Sequence, residues 1–196
     1  INYEVIAGYL WDDYPTAYIQ QTGLNPEVNL KHDRLALAGG SFSTTRGPWV
    51  IRGEGLYTEG KTYMSHNLKT YNNGVVEKNN FKWMLGLDYT LGDYLLSWQG
   101  MQEIILDYEE SLIQDEFSSQ VTFMTQRQFM RNKLDTSITF FYNINQESLK
   151  AKPEIAYDYN SNLNFNIGVD YMLEEGESPP SGVTDDVIYI QSEYIF

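Results

Sequence analysis

Cysteine is absent from this chain, so it has no disulfide framework and no Cys-based metal or redox site. Histidine occurs only as His32 and His66, too few for a His-rich metal centre. Basic residues are scarce: 13 Lys and Arg stand against 27 Asp and Glu, a formal net charge of −14. That balance argues against nucleic acid, whose phosphates need a basic footprint. It suits solubility, calcium or cationic partners equally well. Apolar runs are only a few residues long, so no transmembrane helix is expected. A transmembrane β-barrel escapes that test, because only alternate residues face lipid. There is no phosphate-binding Gly loop and no nucleophile elbow, and no cofactor is expected. No Pro/Gly/Ser-rich linker separates two apolar blocks, so residues 1–196 are expected to form one domain. The chain opens at Ile1 without a signal segment, as a mature, trimmed or partial chain would.

What the chain does have is tyrosine. Aromatics make up 15% of residues and sixteen of them are Tyr. Tyr and Trp concentrate where an apolar body meets a wet edge, as at membrane interfaces. The second signal is period-2 alternation, the signature of a strand with two unlike faces. Over 162–174, Leu163, Phe165, Ile167, Val169, Tyr171 and Leu173 oppose Asn162, Asn164, Asn166, Gly168, Asp170, Met172 and Glu174. Over 80–89, Phe81, Trp83, Leu85, Leu87 and Tyr89 oppose Asn80, Lys82, Met84, Gly86 and Asp88. Similar stretches cover 135–145 and 153–159, and weaker ones 2–12, 33–44, 49–63, 94–107 and 117–130. With the terminal segment near 186–196, about ten strands are expected. Most reach the nine to eleven residues, roughly, that a tilted membrane strand needs.

The connections alternate in length. Short turns are expected at 45–48, 91–93, 130–133 and 160–162, and longer links at 13–32, 64–79, 108–117, 146–152 and 174–185. Outer-membrane barrels pair short periplasmic turns with longer extracellular loops. Placing the terminal Phe196 on the periplasmic side puts every short turn, and both termini, on that side.

The expected fold is therefore an all-β, antiparallel, up-and-down transmembrane β-barrel in the bacterial outer membrane. A soluble ligand-binding barrel also alternates, but buries its apolar face. Trp83, Tyr89, Tyr157, Tyr159, Tyr171, Tyr194 and Phe196 stand near expected strand ends, as interface girdles require, in contact with outer-membrane lipid.

Two segments, His32-Asp-Arg-Leu-Ala-Leu-Ala-Gly-Gly-Ser-Phe-Ser43 and Gly47-Pro-Trp-Val-Ile-Arg-Gly-Glu-Gly-Leu-Tyr57, resemble a hairpin of an uncharacterised family of porin-like proteobacterial outer-membrane proteins. Gly8-Tyr-Leu-Trp-Asp-Asp-Tyr-Pro15, Leu85-Gly-Leu-Asp-Tyr89, Pro153-Glu-Ile-Ala-Tyr157 and the terminal strand are similar to that family too. The resemblance implies an outer-membrane barrel of which this chain matches the C-terminal portion. Further strands would then complete a larger barrel, although ten can also close alone.

If the apolar face meets lipid, the other face lines a lumen. It would hold Glu4, Arg52, Glu54, Lys82, Asp88, Glu103, Asp107, Asp135, Glu154, Asp158, Asp170, Gln191 and Glu193. Carboxylates dominate, and a carboxylate ring concentrates cations and repels anions. The expected function is a porin-like channel for small polar or cationic solutes. The alternatives are a non-conducting structural barrel, filled by paired side chains, and a binding or adhesion barrel acting through acidic outer loops. Arg52 and Glu54, two residues apart on one strand face, either bracket a solute or join a structural charge network, with the network favoured. Arg127 falls on the lipid-facing parity, where it either snorkels to the interface or is turned inward by a bulge. The acidic segments 107–116 and 174–186 match no calcium-loop spacing and read as solvated surface. Ser65-His66-Asn67 has hydrolase residue types, but adjacent strand residues point to opposite faces, so no enzyme is expected.

Overall fold

The computed structural model describes residues 1–22, 25–67, 73–174 and 186–195. It contains β1 (Asn2–Trp11), β2 (Thr16–Thr22), β3 (Asn25–Lys31), β4 (Arg34–Arg46), β5 (Trp49–Met64) and β6 (Val75–Leu91). It continues with β7 (Tyr94–Ile105), β8 (Phe117–Phe129), β9 (Leu134–Asn143), β10 (Ser148–Asp158), β11 (Leu163–Glu174) and β12 (Val187–Tyr194). There is no helix among the described residues. Ten strands form one antiparallel sheet in the order β1-β4-β5-β6-β7-β8-β9-β10-β11-β12, and β2 pairs with β3 alone. Apart from the inserted β2–β3 hairpin, each strand lies beside its neighbour in sequence, as in an up-and-down meander. The sheet order leaves β1 and β12 as edges. The chain divides into two compact units. One comprises Ile1–Phe42, Gly53–Met84 and Gln102–Ser118; the other comprises Ser43–Arg52, Leu85–Met101 and Ser119–Phe196.

The four expected short turns are all present. Gly47 and Gly92, at φ of 60° and 59°, open two-residue turns between β4 and β5 and between β6 and β7. Their positive φ is the conformation glycine adopts without a Cβ penalty, as hairpin turns require. The β8–β9 turn has no glycine, and Met130, Arg131 and Asn132 all take positive φ there. Register is continuous from Gln120↔Asn143 to Phe129↔Leu134, so no bulge interrupts that hairpin.

Several expectations are corrected. The link at 13–32 carries the β2–β3 hairpin, with Ile19 opposite Val28 and Tyr18 opposite Asn29. The brief alternation Glu27-Val-Asn-Leu-Lys31 is its signal in the sequence. The expected long link at 146–152 is a short turn, because β10 begins at Ser148 and pairs Ser148 with Asn143. β6 begins at Val75, five residues before the expected start at Asn80, so Trp83 sits in mid-strand and not near an end. Asp107 lies in a turn after β7 with φ 51°, not on the strand face. The segment 175–185 and Phe196 lie outside the described residues.

β5 also changes face along its length. Arg52 reaches Asp88 of β6, and Tyr63, of opposite parity, reaches Asn80 of β6. Gly60, at φ 84°, lies between them. A positive-φ glycine within a strand inserts the extra residue of a bulge and flips the following side chains. Lys61 and Tyr63 thereby join the polar side.

Hydrophobic burial is slight. Among the described residues the buried hydrophobics are Leu35, Tyr63, Ile105, Leu112 and Ala151. Tyr63, Ile105 and Leu112 form a small cluster with Val76 and Tyr108. It pins the 106–116 link against the end of β5. Ser65 Oγ donates to the Ser111 carbonyl at 2.9 Å, and Lys78 Nζ bonds the Asp107 carbonyl and Glu109, both at 2.6 Å.

Candidate functional site

The registers of β8 through β12 prove which side chains share a face. Gln126 lies opposite Ser137, Ser137 opposite Glu154, Glu154 opposite Gly168 and Gly168 opposite Tyr189. The next row runs Gln128, Asp135, Ala156, Asn166 and Gln191, and the one after it Asp158, Asn164 and Glu193. On the reverse face one row runs Arg127, Thr136, Ile155, Ile167 and Ile190. Asp135, Glu154, Asp158, Asp170, Gln191 and Glu193 therefore share one polar face. The opposite face is apolar and open: Ile155 is 46% exposed, Ile167 43%, Tyr171 46% and Ile190 77%.

On the polar face the carboxylates are mostly engaged. Gln126 donates to Asp135 at 2.6 Å, and Asn164 to Asp158 at 2.6 Å. Glu154 accepts from Asn166 at 3.0 Å and from the Tyr189 hydroxyl at 2.7 Å. Lys150 Nζ meets Asp170 Oδ2 at 2.9 Å, while Lys152 Nζ stands 3.9 Å from Asp170 Oδ1. Tyr189 reaches Glu154 by lying over Gly168, where an added Cβ would collide with the phenol ring. Glycine is required there because an aromatic from β12 must cross β11 to reach β10.

Arg52 donates to Asp88 Oδ1 at 2.9 Å, and Ser97 donates to the same oxygen at 2.6 Å. In the other unit, Glu103 gathers Lys82 at 2.9 Å, Asn80 at 2.7 Å and Tyr63 at 3.1 Å. Asn80 is 1% exposed. Burial of an amide this complete is tolerated only with bonds such as the two it donates, to Tyr63 and Glu103. Glu54 lies on β5 beyond Arg52, and Glu4 on the edge strand β1. The sequence marked the carboxylates of this face, with Arg52, Lys82, Asn80, Asn164 and Asn166 beside them, but not the partners Tyr63, Gln126, Lys150 and Tyr189.

The apolar face carries aromatics beside the short turns. Trp49 and Tyr89 pack at 4.3 Å between centroids, next to the β4–β5 and β6–β7 turns. Tyr157 pairs with Leu134 and Phe165, Tyr194 pairs with Leu163, and Tyr159 follows β10, all at the β8–β9 or β10–β11 turns. Tyr171 lies at the other end of β11, opposite Ala151. Trp83 donates its indole N–H to Gln102 at 3.2 Å. Arg127 stays on the apolar face, as its unbroken register demands. Its guanidinium lies over the rings of Tyr94 and Phe129 and donates to the Tyr94 hydroxyl at 2.6 Å. Stacking on aromatic faces lets a guanidinium sit at such an edge.

At the far ends of the strands from the short turns, Asp12 bonds Lys61 at 2.7 Å, and the Asp12 carbonyl faces His32 Nδ1 at 2.7 Å. Burial alone would push the Asp12 carboxyl up. The Lys61 ammonium and the Tyr14 N–H outweigh it and hold Asp12 below the ordinary carboxylate value. Ser65 and His66 both engage Ser111, and Ser65 Oγ accepts from Asn67 N–H, so this serine is committed to anchoring the link. Among the described residues no group of three or more His, Cys, Asp or Glu side chains is placed to hold a metal ion. No protein-family model matches the chain, and no curated protein matches it.

Proposed function

We propose that this chain is a wall of a bacterial outer-membrane β-barrel of the porin-like kind, forming a channel that passes small polar or cationic solutes. One observation carries the reading: the face bearing Ile155, Phe165, Ile167, Tyr171, Ile188 and Ile190 is apolar and uncovered, while the polar side chains bond to one another on the reverse face. In a soluble barrel or sandwich the apolar face is the buried one. Lipid is the solvent in which the opposite arrangement is stable. The short turns are then periplasmic, with Trp49, Tyr89, Tyr94, Tyr157 and Tyr194 in the interfacial girdle, and the β2–β3 hairpin is extracellular.

The polar face of β8–β12 holds five carboxylates, Asp135, Glu154, Asp158, Asp170 and Glu193, against Lys150 and Lys152. That excess favours cations in a wet lumen. A sheet in lipid cannot leave backbone groups unpaired, so β1 and β12 must each be paired, with each other or with further strands. The resemblance to the C-terminal portion of a longer barrel favours further strands.

The test is single-channel conductance in a planar bilayer under a salt gradient. Cation-preferring steps whose selectivity falls when Glu154, Asp170 and Glu193 are changed to Gln, Asn and Gln support the channel. Stable insertion without conductance refutes it and leaves a structural or binding barrel.

A further inference from the structure

The polar face of β10–β12 contains a cation seat that a lysine fills only loosely. The Tyr189 ring lies over Gly168, and its hydroxyl donates to Glu154 Oε2. Lys152 Nζ stands 5.3 Å from the centroid of that ring and 3.9 Å from Asp170 Oδ1. Asp170 Oδ1 is buried and accepts no hydrogen bond, while Asp170 Oδ2 is taken by Lys150. An aromatic face and a carboxylate oxygen without a donor are the two parts of an ammonium-binding site. Lys152 makes the ring contact and a long ion pair without donating a hydrogen bond to Asp170 Oδ1, and its side chain is 38% exposed.

We propose that Tyr189 and Asp170 form a binding site for organic ammonium ions on the lumen wall, and that Lys152 is a tethered competitor which a solute displaces. This deepens the channel reading and rests on the polar face being wet. It narrows the solute class from cations in general to alkylammonium groups. A hydrated metal ion gains little from a phenol face, whereas a primary ammonium gains from the ring and donates to Asp170 Oδ1 at once.

The probe is n-butylammonium, the free counterpart of the lysine side-chain end, added to the isotope-labelled full chain folded in detergent micelles and followed by NMR. Lys152→Met is expected to bind it about tenfold more tightly than the parent, the order of one released ion–aromatic contact. Shifts should centre on Tyr189 and Asp170, and adding Asp170→Asn to Lys152→Met should abolish them. Equal binding by Lys152→Met and the double variant, or shifts centred elsewhere, overturns the proposal. Lys152→Gln serves where Lys152→Met does not fold. The readout does not require conduction, so the two readings fail separately. Binding without conductance sinks the channel and keeps the site; conductance without binding sinks the site and keeps the channel.

Discussion

Gly168 and Tyr189 illustrate how one small residue permits a contact across three strands. A side chain at 168 would meet the ring that joins β12 to β10. Gly168→Val is expected to destabilise the fold by about 1–3 kcal/mol through this overpacking, read as a lower denaturant midpoint in detergent. Gly100 has no heavy atom within 4 Å of an added Cβ, so Gly100→Ala serves as the control and should leave the midpoint near its parent value. Asp12 gives a prediction in pH. Its carboxyl is held below the ordinary value in the folded chain, so its contribution is present above the unfolded carboxyl value, near ~4. That contribution is lost as pH falls through the folded value. Hydrogen exchange at the Asp12 N–H, which bonds the Asp33 carbonyl, should accelerate in acid after correction for the intrinsic rate. Asp12→Asn should show the faster corrected exchange at neutral pH and lose the acid step.

At the scale of elements, the β8–β9 turn stands out from the glycine-bearing ones. Met130, Arg131 and Asn132 hold φ of 53°, 58° and 66°. A left-handed non-glycine residue costs on the order of 1–2 kcal/mol, less for Asn. Arg131 is exposed. Arg131→Gly should therefore stabilise the hairpin by about 0.5–1 kcal/mol after the entropy glycine adds to the unfolded chain, seen as a raised denaturant midpoint. A fall in the midpoint would refute the strain argument. The 106–116 link behaves oppositely, being tied down at Ser65, Lys78 and Leu112. The small apolar cluster, Ser65 and the nearly buried Lys78 share that anchoring, the Lys78 side chain being 12% exposed.

For the whole molecule, the two faces of the sheet set the solvent. An apolar face this open is stable in lipid or detergent, and the chain is expected to aggregate when refolded in buffer alone and to stay monodisperse in micelles. Light scattering after refolding with and without detergent checks this; a soluble, monodisperse chain in plain buffer would refute the membrane reading. The edges β1 and β12 bear on the same point. Nine of the ten residues of β1 are exposed, as expected of an edge strand.

Alternation by itself determined most of this architecture. Ten sheet strands and the division of their side chains into two faces follow from period 2, because a pleated strand leaves no other placement for successive residues, and the short turns between them make neighbours antiparallel. Departures from that count needed the tertiary structure. Gly60 switches the face of β5 by a positive φ that no pattern announces, and the β2–β3 hairpin is too short and too polar to stand out of its link. The partners of the carboxylates lay furthest from view. Arg52 meets Asp88 across 36 positions, Lys150 meets Asp170 across 20, and Tyr189 meets Glu154 across 35. Such pairs depend on register between strands, and a shift such as the one at Leu149/Lys150 changes which charge faces which. The composition therefore established an acidic face, and the register decided that its acids are held by lysines, amides and phenols.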